Sequence, residues 1–262
     1  MNSKNVSRKN KNVKESTSME DFEENSSSKS SRYPCILLAA GAGSRMGRQK
    51  LLLPLGNKPV VRYIAETILI VASPLVVVVG SNGEEVRGAL RGLTGTIVVD
   101  NPHWQDGMVG SAQVGIDTLL KNCPDVSGFF LHQADKPFVP VSVFATLAQY
   151  MDITGTDKTK TVCEPDPYTN PDSNRSLPCA LVASFGGDSG HPVLFPSRYI
   201  PGLLSLPAGE RLKPVLDQLG SLQVECHTAA VLEDIDTLSD YESLTHKYAA
   251  TFSGPGQDLD KT

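Results

Sequence analysis

An α/β fold with a mostly parallel central sheet is predicted by three observations. Short apolar runs alternate with amphipathic stretches from Cys35 to Met151. Leu75 to Val79 is continuously apolar and mostly β-branched, which suits a strand covered on both faces, as parallel strands are. A glycine-rich loop follows the first apolar run, at the end of a strand where such sheets bind anions. Together they imply a Rossmann-like three-layer sandwich, with helices on both faces of the sheet.

The elements follow in order. Cys35 to Leu38 is the first strand. Val60, Val61, Ile64, Ala65, Ile68 and Leu69 recur at helical spacing on one face. After the Leu75 strand, Glu84 to Leu90 reads as a helix and Thr96 to Val99 as a strand. Asp100-Asn101-Pro102 ends that strand, and Ser111 to Leu120 supplies the next helix, with Ser111 placed to cap it. Gly128 to His132 is a strand running into Gln133-Ala134-Asp135-Lys136-Pro137, followed by a helix from Val141 to Met151. The loops after Leu38, Gly80, Val99 and His132 should therefore line one crevice. In the second half, residues 152–178 are polar and read as an inserted loop. Ala180 to Phe185 and Val193 to Phe195 form strands joined through Gly186-Gly187-Asp188-Ser189-Gly190. Helices over Tyr199 to Leu206 and Leu212 to Leu219, a strand over Leu222 to Cys226 and a helix from Asp240 to about Tyr248 complete the pattern.

A chain of 262 residues can fill one large α/β core. A net charge of −5 and a pI near 5.6 point to neither a nucleic-acid nor an anionic-membrane partner. The longest apolar stretch is broken at Ser73-Pro74, so no membrane span is expected; the expectation is a soluble protein, with a cytoplasmic location. Residues 1–32 are rich in Ser, Asn, Lys and Glu and read as a disordered tail without the apolar core of a secretory signal. Residues 33–250 form the folded domain, and 251–262 look frayed. The five cysteines are scattered without a C-x-x-C pair, which argues against zinc, an iron–sulfur cluster or a disulfide framework. Cys163 and Cys179 flank the polar insertion and have the position to bridge it, but free thiols are the expectation in a reducing compartment.

The loop itself reads Leu37-Leu-Ala-Ala-Gly-Ala-Gly-Ser-Arg-Met-Gly-Arg-Gln-Lys50. Its glycines (Gly41, Gly43, Gly47) let backbone N–H groups converge on an anion, and Arg45 and Lys50 neutralise it. A P-loop requires lysine followed by Ser or Thr, whereas Lys50 precedes Leu51. The dinucleotide fingerprint requires Gly-x-Gly-x-x-Gly, and Gly41-x-Gly43-x-x-x-Gly47 is one residue too long. A kinase loop keeps its lysine on a separate strand. None of the three fits.

The same residues resemble the Leu-Ala-Ala-Gly-x-(Gly/Ser)-x-Arg-Met-Gly…Lys signature of the MobA-like nucleotidyltransferases. Asp135-Lys136-Pro137 is similar to that family's Asp-x-Pro metal motif, and Asp234-Ile-Asp236-Thr-Leu-Ser-Asp240-Tyr to its Asp-Ile-Asp-Thr-Pro-Glu-Asp-Tyr. Asn101-Pro-His-Trp104-Gln-Asp-Gly107-Met108-Val-Gly-Ser111 and Gly190-His191-Pro-Val-Leu-Phe195 resemble segments of the molybdenum cofactor cytidylyltransferase branch, the MocA-like proteins. The likeness spans about residues 33–248. Its Gly-Asp-x-Gly-Ala-Arg segment survives only as Ala208-Gly-Glu-Arg211, which leaves the acceptor contacts less defined.

The resemblance implies a nucleotide-diphospho-sugar transferase type of fold and a Mg²⁺-dependent transfer of CMP from CTP to a molybdopterin-type acceptor, with release of pyrophosphate. A molybdenum hydroxylase such as xanthine dehydrogenase would be the client. Asp135 and Asp236 are the implied metal ligands, with Asp234 a weaker candidate. Leu38, Ala39, Ala40, Gly41, Gly43, Arg45, Lys50, Gly80, Ser81 and Asp135 are the implied nucleotide contacts, and Lys50, Arg45 and Asp135 carry the chemistry. Arginine offers a fork to phosphate oxygens and lysine a compact charge. A methyl at Ala40 crowds a purine, favouring a pyrimidine. Ser111, His191 and Arg211 are the acceptor-side candidates, though Ser111 also suits a helix cap and His191 a structural role. Trp104 is either core filler or a stacking platform. Two alternatives remain: a sugar- or polyol-phosphate nucleotidylyltransferase, and a non-catalytic molybdenum cofactor carrier. An oxidoreductase on this scaffold lacks a dinucleotide loop.

Overall fold

The computed structural model describes residues 33–41, 49–156 and 179–252. The tail, the loop residues Gly43, Arg45 and Gly47, Cys163 and most of the polar insertion lie outside the described residues. The first half runs β1 (Cys35–Ala39), β2 (Pro54–Leu55), β3 (Lys58–Pro59), α1 (Val60–Leu69), β4 (Leu75–Val79), α2 (Gly83–Ala89), β5 (Thr96–Asp100) and α3 (Met108–Asn122). It continues with β6 (Gly128–Gln133) and α4 (Val141–Thr156). The second half adds β7 (Ala180–Phe185), β8 (Asp188–Pro196), α5 (Ile200–Leu204), α6 (Lys213–Leu219), β9 (Ser221–Glu225), α7 (Leu238–Lys247) and α8 (Ala249–Phe252).

Seven strands form one sheet in the order β5-β4-β1-β6-β8-β7-β9, and β2 and β3 pair separately. Only β8 runs against its neighbours; β5, β4, β1 and β6 are mutually parallel, as are β7 and β9. The reversal has a local cause. Gly186 and Gly187 both adopt positive φ (60° and 88°), the backbone of a tight hairpin turn, so β8 must return alongside β7. Because β4 and β6 flank β1 on opposite sides, the chain order switches direction at β1. A crevice opens at the carboxyl ends of the strands at such a point.

Strand alternation divides the core into two layers. Cys35, Leu37 and Val77 pack with α1 and α4 residues such as Ile64, Ile68, Phe144 and Leu147. Ile36, Val76, Val78, Phe129 and Leu131 face the other way, onto Ala112, Ile116 and Leu119 of α3 and Val215 of α6. All of β4 is buried, as a strand covered on both faces should be.

Several expectations are corrected. Residues 152–156 continue α4 instead of opening the inserted loop, and 251–252 belong to α8 instead of a frayed end. Ser111 does not cap α3: the helix begins three residues earlier, with Gly107 at φ 106° in the cap position, because only glycine takes that backbone easily. Cys179 is disulfide-bonded, contrary to the free thiol expected, while Cys35, Cys123 and Cys226 are free. No helix among the described residues is long and apolar enough to cross a membrane.

One glycine fixes how closely α3 lies on the sheet. A Cβ at Gly115 would meet Ile36 Cγ2 and come within 3.1 Å of Val78 Cγ2. Gly115→Val should therefore destabilise the fold by about 1–3 kcal/mol through overpacking, seen as a lower urea midpoint at unchanged slope.

Candidate active site

The site is assembled where β1, β6 and the segment before α7 converge. Lys50 stands at the start of a short 3-10 turn over Lys50–Leu52, after the glycine loop, with Leu51 buried beneath it. Its Nζ donates to Asp135 Oδ2 at 3.3 Å and to Asp236 Oδ1 at 3.3 Å. The lysine side chain is 14% exposed and the carboxylates 26% and 40%, so the trio forms the floor of an open crevice. Two carboxylates separated by 101 positions in the chain are thus held on a single ammonium.

Each carboxylate is positioned by its surroundings. Asp135 follows β6, and its carbonyl accepts from the Ile235 N–H at 2.8 Å, tying the two aspartate-bearing segments together through backbone. Asp236 precedes a capping box: Thr237 accepts from the Asp240 N–H, while Asp240 Oδ2 accepts from the N–H groups of Thr237 (2.7 Å) and Asp236 (3.2 Å). These bonds hold the Asp240 carboxyl below its ordinary range, the Thr237 bonds contributing most. Capping therefore falls to Thr237 and Asp240, leaving Asp236 turned to the crevice.

Asp135 Oδ1 is buried and has no hydrogen-bond partner among the described residues. An unpaired carboxylate oxygen is costly unless a cation or ordered water meets it. No group of three or more His, Cys, Asp or Glu side chains among the described residues forms a metal cluster. Two carboxylates with an open side suit a hard ion that completes its shell with water and phosphate, as Mg²⁺ does, and do not suit zinc. The residues present fit the implied ion.

Two adjoining cavities lie near the trio, of which Asp135 alone among the three lines one. The smaller, about 300 Å³, is lined by Leu38, Ala40, Gly41, Trp104, Ser111 and Asp135 among others. Gly107 caps α3 with no side chain to occupy the first amides of that helix, and Gly107, Met108 and Ser111 line this cavity, an arrangement that favours anions. The larger, about 520 Å³, is walled by β7, β8, β9 and α6 and includes His191, Arg211 and Lys213. Met108 and Gln133 border both, and the Gln133 Nε2 donates to Met108 Sδ at 3.4 Å.

Residues 35–224 match the family model described as the MobA-like NTP transferase domain. The chain belongs to this family. Among curated relatives, the molybdenum cofactor cytidylyltransferase of Escherichia coli is 21% identical over 83% of this chain and 98% of its own length. The nicotine blue oxidoreductase of Paenarthrobacter nicotinovorans is 28% identical over 78% of this chain and 94% of its own. Among solved structures, a nucleotidyl transferase from Methanothermobacter superposes with a TM-score of 0.64 at 20% identity, covering 84% of this chain and 99% of that one. The chain is thus a nucleotidyltransferase of MobA-like type.

On this MobA-like domain the predicted residues distribute unevenly. Leu38, Ala40, Gly41, Ser111 and Asp135 share the smaller cavity; His191 and Arg211 share the larger one. Ser111 is therefore apart from the other two acceptor candidates, and its Oγ accepts from Asn101 Nδ2 at 3.0 Å. Ala39 points into the core, and neither Gly80 nor Ser81 lines either cavity. Gly80 instead makes room: a Cβ there would strike the Ala40 carbonyl and lie 2.7 Å from Trp104 Cγ. Gly43 and Arg45 lie outside the described residues.

Four residues of the site were not singled out from sequence: Gln133, Met108, His132 and Lys136. The alternation of β6 carried a usable signal for Gln133, since Phe129 and Leu131 face α3 and the next residue of that parity is Gln133. His132 lies buried and His191 half-buried at the wall of the larger cavity, with ring centroids 6.2 Å apart. Burial pushes His132 down to about 3, helped by His191 and opposed by the bond to the Lys136 carbonyl, and burial pushes His191 down to about 4. Both imidazoles are neutral at physiological pH, which makes His191 a poor cationic partner for a phosphate.

These histidines predict a pH dependence of stability. In the unfolded chain they take up protons near pH 6.5, whereas in the folded protein they resist until about pH 3–4. The unfolded state then binds more protons, so stability is complete above about pH 6.5 and declines as pH falls toward 4. Urea midpoints measured from pH 7 to pH 4 should fall accordingly, and the imidazole NMR shifts of His132 and His191 should stay those of neutral rings down to pH 5.

Proposed function

We propose that this chain transfers CMP from CTP to a molybdopterin-type molybdenum cofactor and releases pyrophosphate, with Mg²⁺ held by Asp135 and Asp236. The observation that carries the reading is the pairing of both aspartates on Lys50, with Asp135 lining the smaller cavity and its Oδ1 without a hydrogen-bond partner among the described residues. The curated cytidylyltransferase matched along nearly its whole length supports the same substrate pair.

Nucleotidyl transfer asks the protein mainly to bring two anions together and to neutralise charge as it builds. The triphosphate occupies the smaller cavity, its phosphates toward the start of α3 and its base against the Ala40 and Trp104 wall. The Ala40 methyl narrows that space and favours cytosine. The acceptor enters the larger cavity, where Arg211 and Lys213 meet its phosphate and β-sheet residues cover its ring system. An acceptor phosphate oxygen attacks the α-phosphorus in line at the Met108–Gln133 border; the bond to the β-phosphate oxygen breaks, and pyrophosphate carries away the electron pair. Lys50 is placed to follow the charge, since a phosphate oxygen competes for its ammonium with the two aspartates. The cation, when bound, screens repulsion between attacking and leaving oxygens.

A carrier would need no aspartate pair poised on a phosphate-loop lysine, so the same trio favours an enzyme. The oxidoreductase relative leaves the transferase reading in place, because that reading rests on residues present in this chain.

Incubation with Mg²⁺, each of the four nucleoside triphosphates and molybdenum-loaded molybdopterin should release pyrophosphate with CTP. Release with GTP alone would overturn the pyrimidine reading, and release with none would overturn the cytidylyltransferase. Asp135→Ala should lower turnover by about 10²–10³-fold while the fold is retained. Trp104 is the single tryptophan of the chain, so CTP binding should also change its fluorescence; an unchanged spectrum at saturating CTP would remove Trp104 from the nucleotide site.

A further inference from the structure

We infer that Lys136 is a positioning residue that fastens the segment carrying Asp236 to the loop carrying Asp135, an inference that rests on the proposed role of those two aspartates as a cation pair. Lys136 occupies the variable place of the Asp-x-Pro motif, where nothing about the chemistry demands a lysine. Its side chain is nevertheless only 8% exposed. Burying an ammonium costs several kcal/mol unless its donors are satisfied, so its partners matter. Its Nζ donates to the Leu232 carbonyl at 2.8 Å and lies 3.5 Å from Asp234 Oδ2. Both partners lie in the segment that leads into Asp236.

The other end of the clamp is fixed as well. The Lys136 carbonyl accepts from His132 Nε2 at 3.2 Å, and its N–H donates to the Gln133 carbonyl at 3.2 Å, so the lysine backbone is held to β6. Between the two ends runs the bond from the Ile235 N–H to the Asp135 carbonyl, with the Ile235 side chain buried in the core. Asp135 and Asp236 repel one another, and between the 3-10 turn at Ala229–Val231 and Thr237 the segment bearing Asp236 has no strand or helix of its own. Lys136 supplies the restraint that keeps that segment in register. Its charge alone would act in the opposite direction, because a cation beside the pair repels a divalent ion. Position and charge therefore predict opposite signs.

The test uses the full chain with Lys136→Met, which keeps the stem and removes the ammonium. Two quantities are read: hydrogen exchange at the Ile235 amide without metal, and Mn²⁺ affinity by electron paramagnetic resonance. The clamp predicts faster Ile235 exchange and Mn²⁺ binding about 10-fold weaker, the usual scale for residues that orient metal ligands. Leu119→Ala, in the opposite core layer, should lower thermal stability while leaving Ile235 exchange relative to global unfolding and Mn²⁺ affinity unchanged. Unaltered Ile235 exchange in Lys136→Met, or tighter Mn²⁺ binding, would overturn the inference. If that variant fails to fold, Asp234→Asn at the exposed end of the clamp decides it: faster Ile235 exchange supports the clamp and unchanged exchange overturns it. A wild-type chain that binds no Mn²⁺ would overturn the aspartate-pair reading under the proposed function, while the exchange measurement still judges the clamp by itself.

Discussion

Electrostatic repulsion between Asp135 and Asp236 is the constraint around which this end of the molecule is built. Two carboxylates brought onto one ammonium gain from the shared cation and lose from each other, and the balance holds only if the backbone keeps them in place. Asp135 gains its place from β6, a strand buried between two helical layers. Asp236 gains its place from contacts: the Ile235 bond to Asp135, the buried Ile235 side chain and the Thr237–Asp240 box. Gly190 belongs to the same device. A Cβ there would strike the Val231 carbonyl, so only glycine lets the segment leading to Asp236 run directly across β8.

The sheet order explains why two cavities meet at that point. The parallel half, β5-β4-β1-β6, ends in loops that surround a compact hollow beside the α3 N-terminus. The half containing the reversed β8 presents the broader hollow, with Arg211 and Lys213 contributed by the connection into α6. Met108 and Gln133 stand between them, one from the helix start and one from the strand end. A thioether is a weak acceptor, so the Gln133 amide there is lightly held. Under the proposed function the first hollow takes the nucleotide and the second the acceptor, with Asp135 lining the first.

Periodicity made most of the fold legible. The β-branched run of β4, the helical spacing of α1 and the glycine pair before β8 each have one structural meaning, and each appears where expected. Boundaries were harder. Ser111 looked like a helix cap, but Gly107 tolerates the required φ and the helix takes three more residues. Lys50, Asp135 and Asp236, singled out in the sequence for their charge, lie together in the structure. Steric and positional arrangements were not legible. Gly80, expected near the base, lines neither cavity and leaves space for Trp104; Lys136, at the variable place of its motif, spans to Leu232. Such roles depend on which distant segment lies opposite, and pattern within one stretch of chain does not contain that information. The pairing of Cys179 was missed for a related reason, since compartment and not geometry governed the expectation.

The central claim is that Asp135 and Asp236 together hold a divalent cation beside a bound nucleoside triphosphate. Anomalous diffraction from crystals grown with MnCl₂ and CTP tests it most directly. The account predicts a manganese peak within bonding distance of both carboxylates and of the triphosphate, with Lys50 drawn from the aspartates toward phosphate. A peak that touches neither aspartate, or ordered CTP with Lys50 still bridging the pair and no manganese between them, would contradict it.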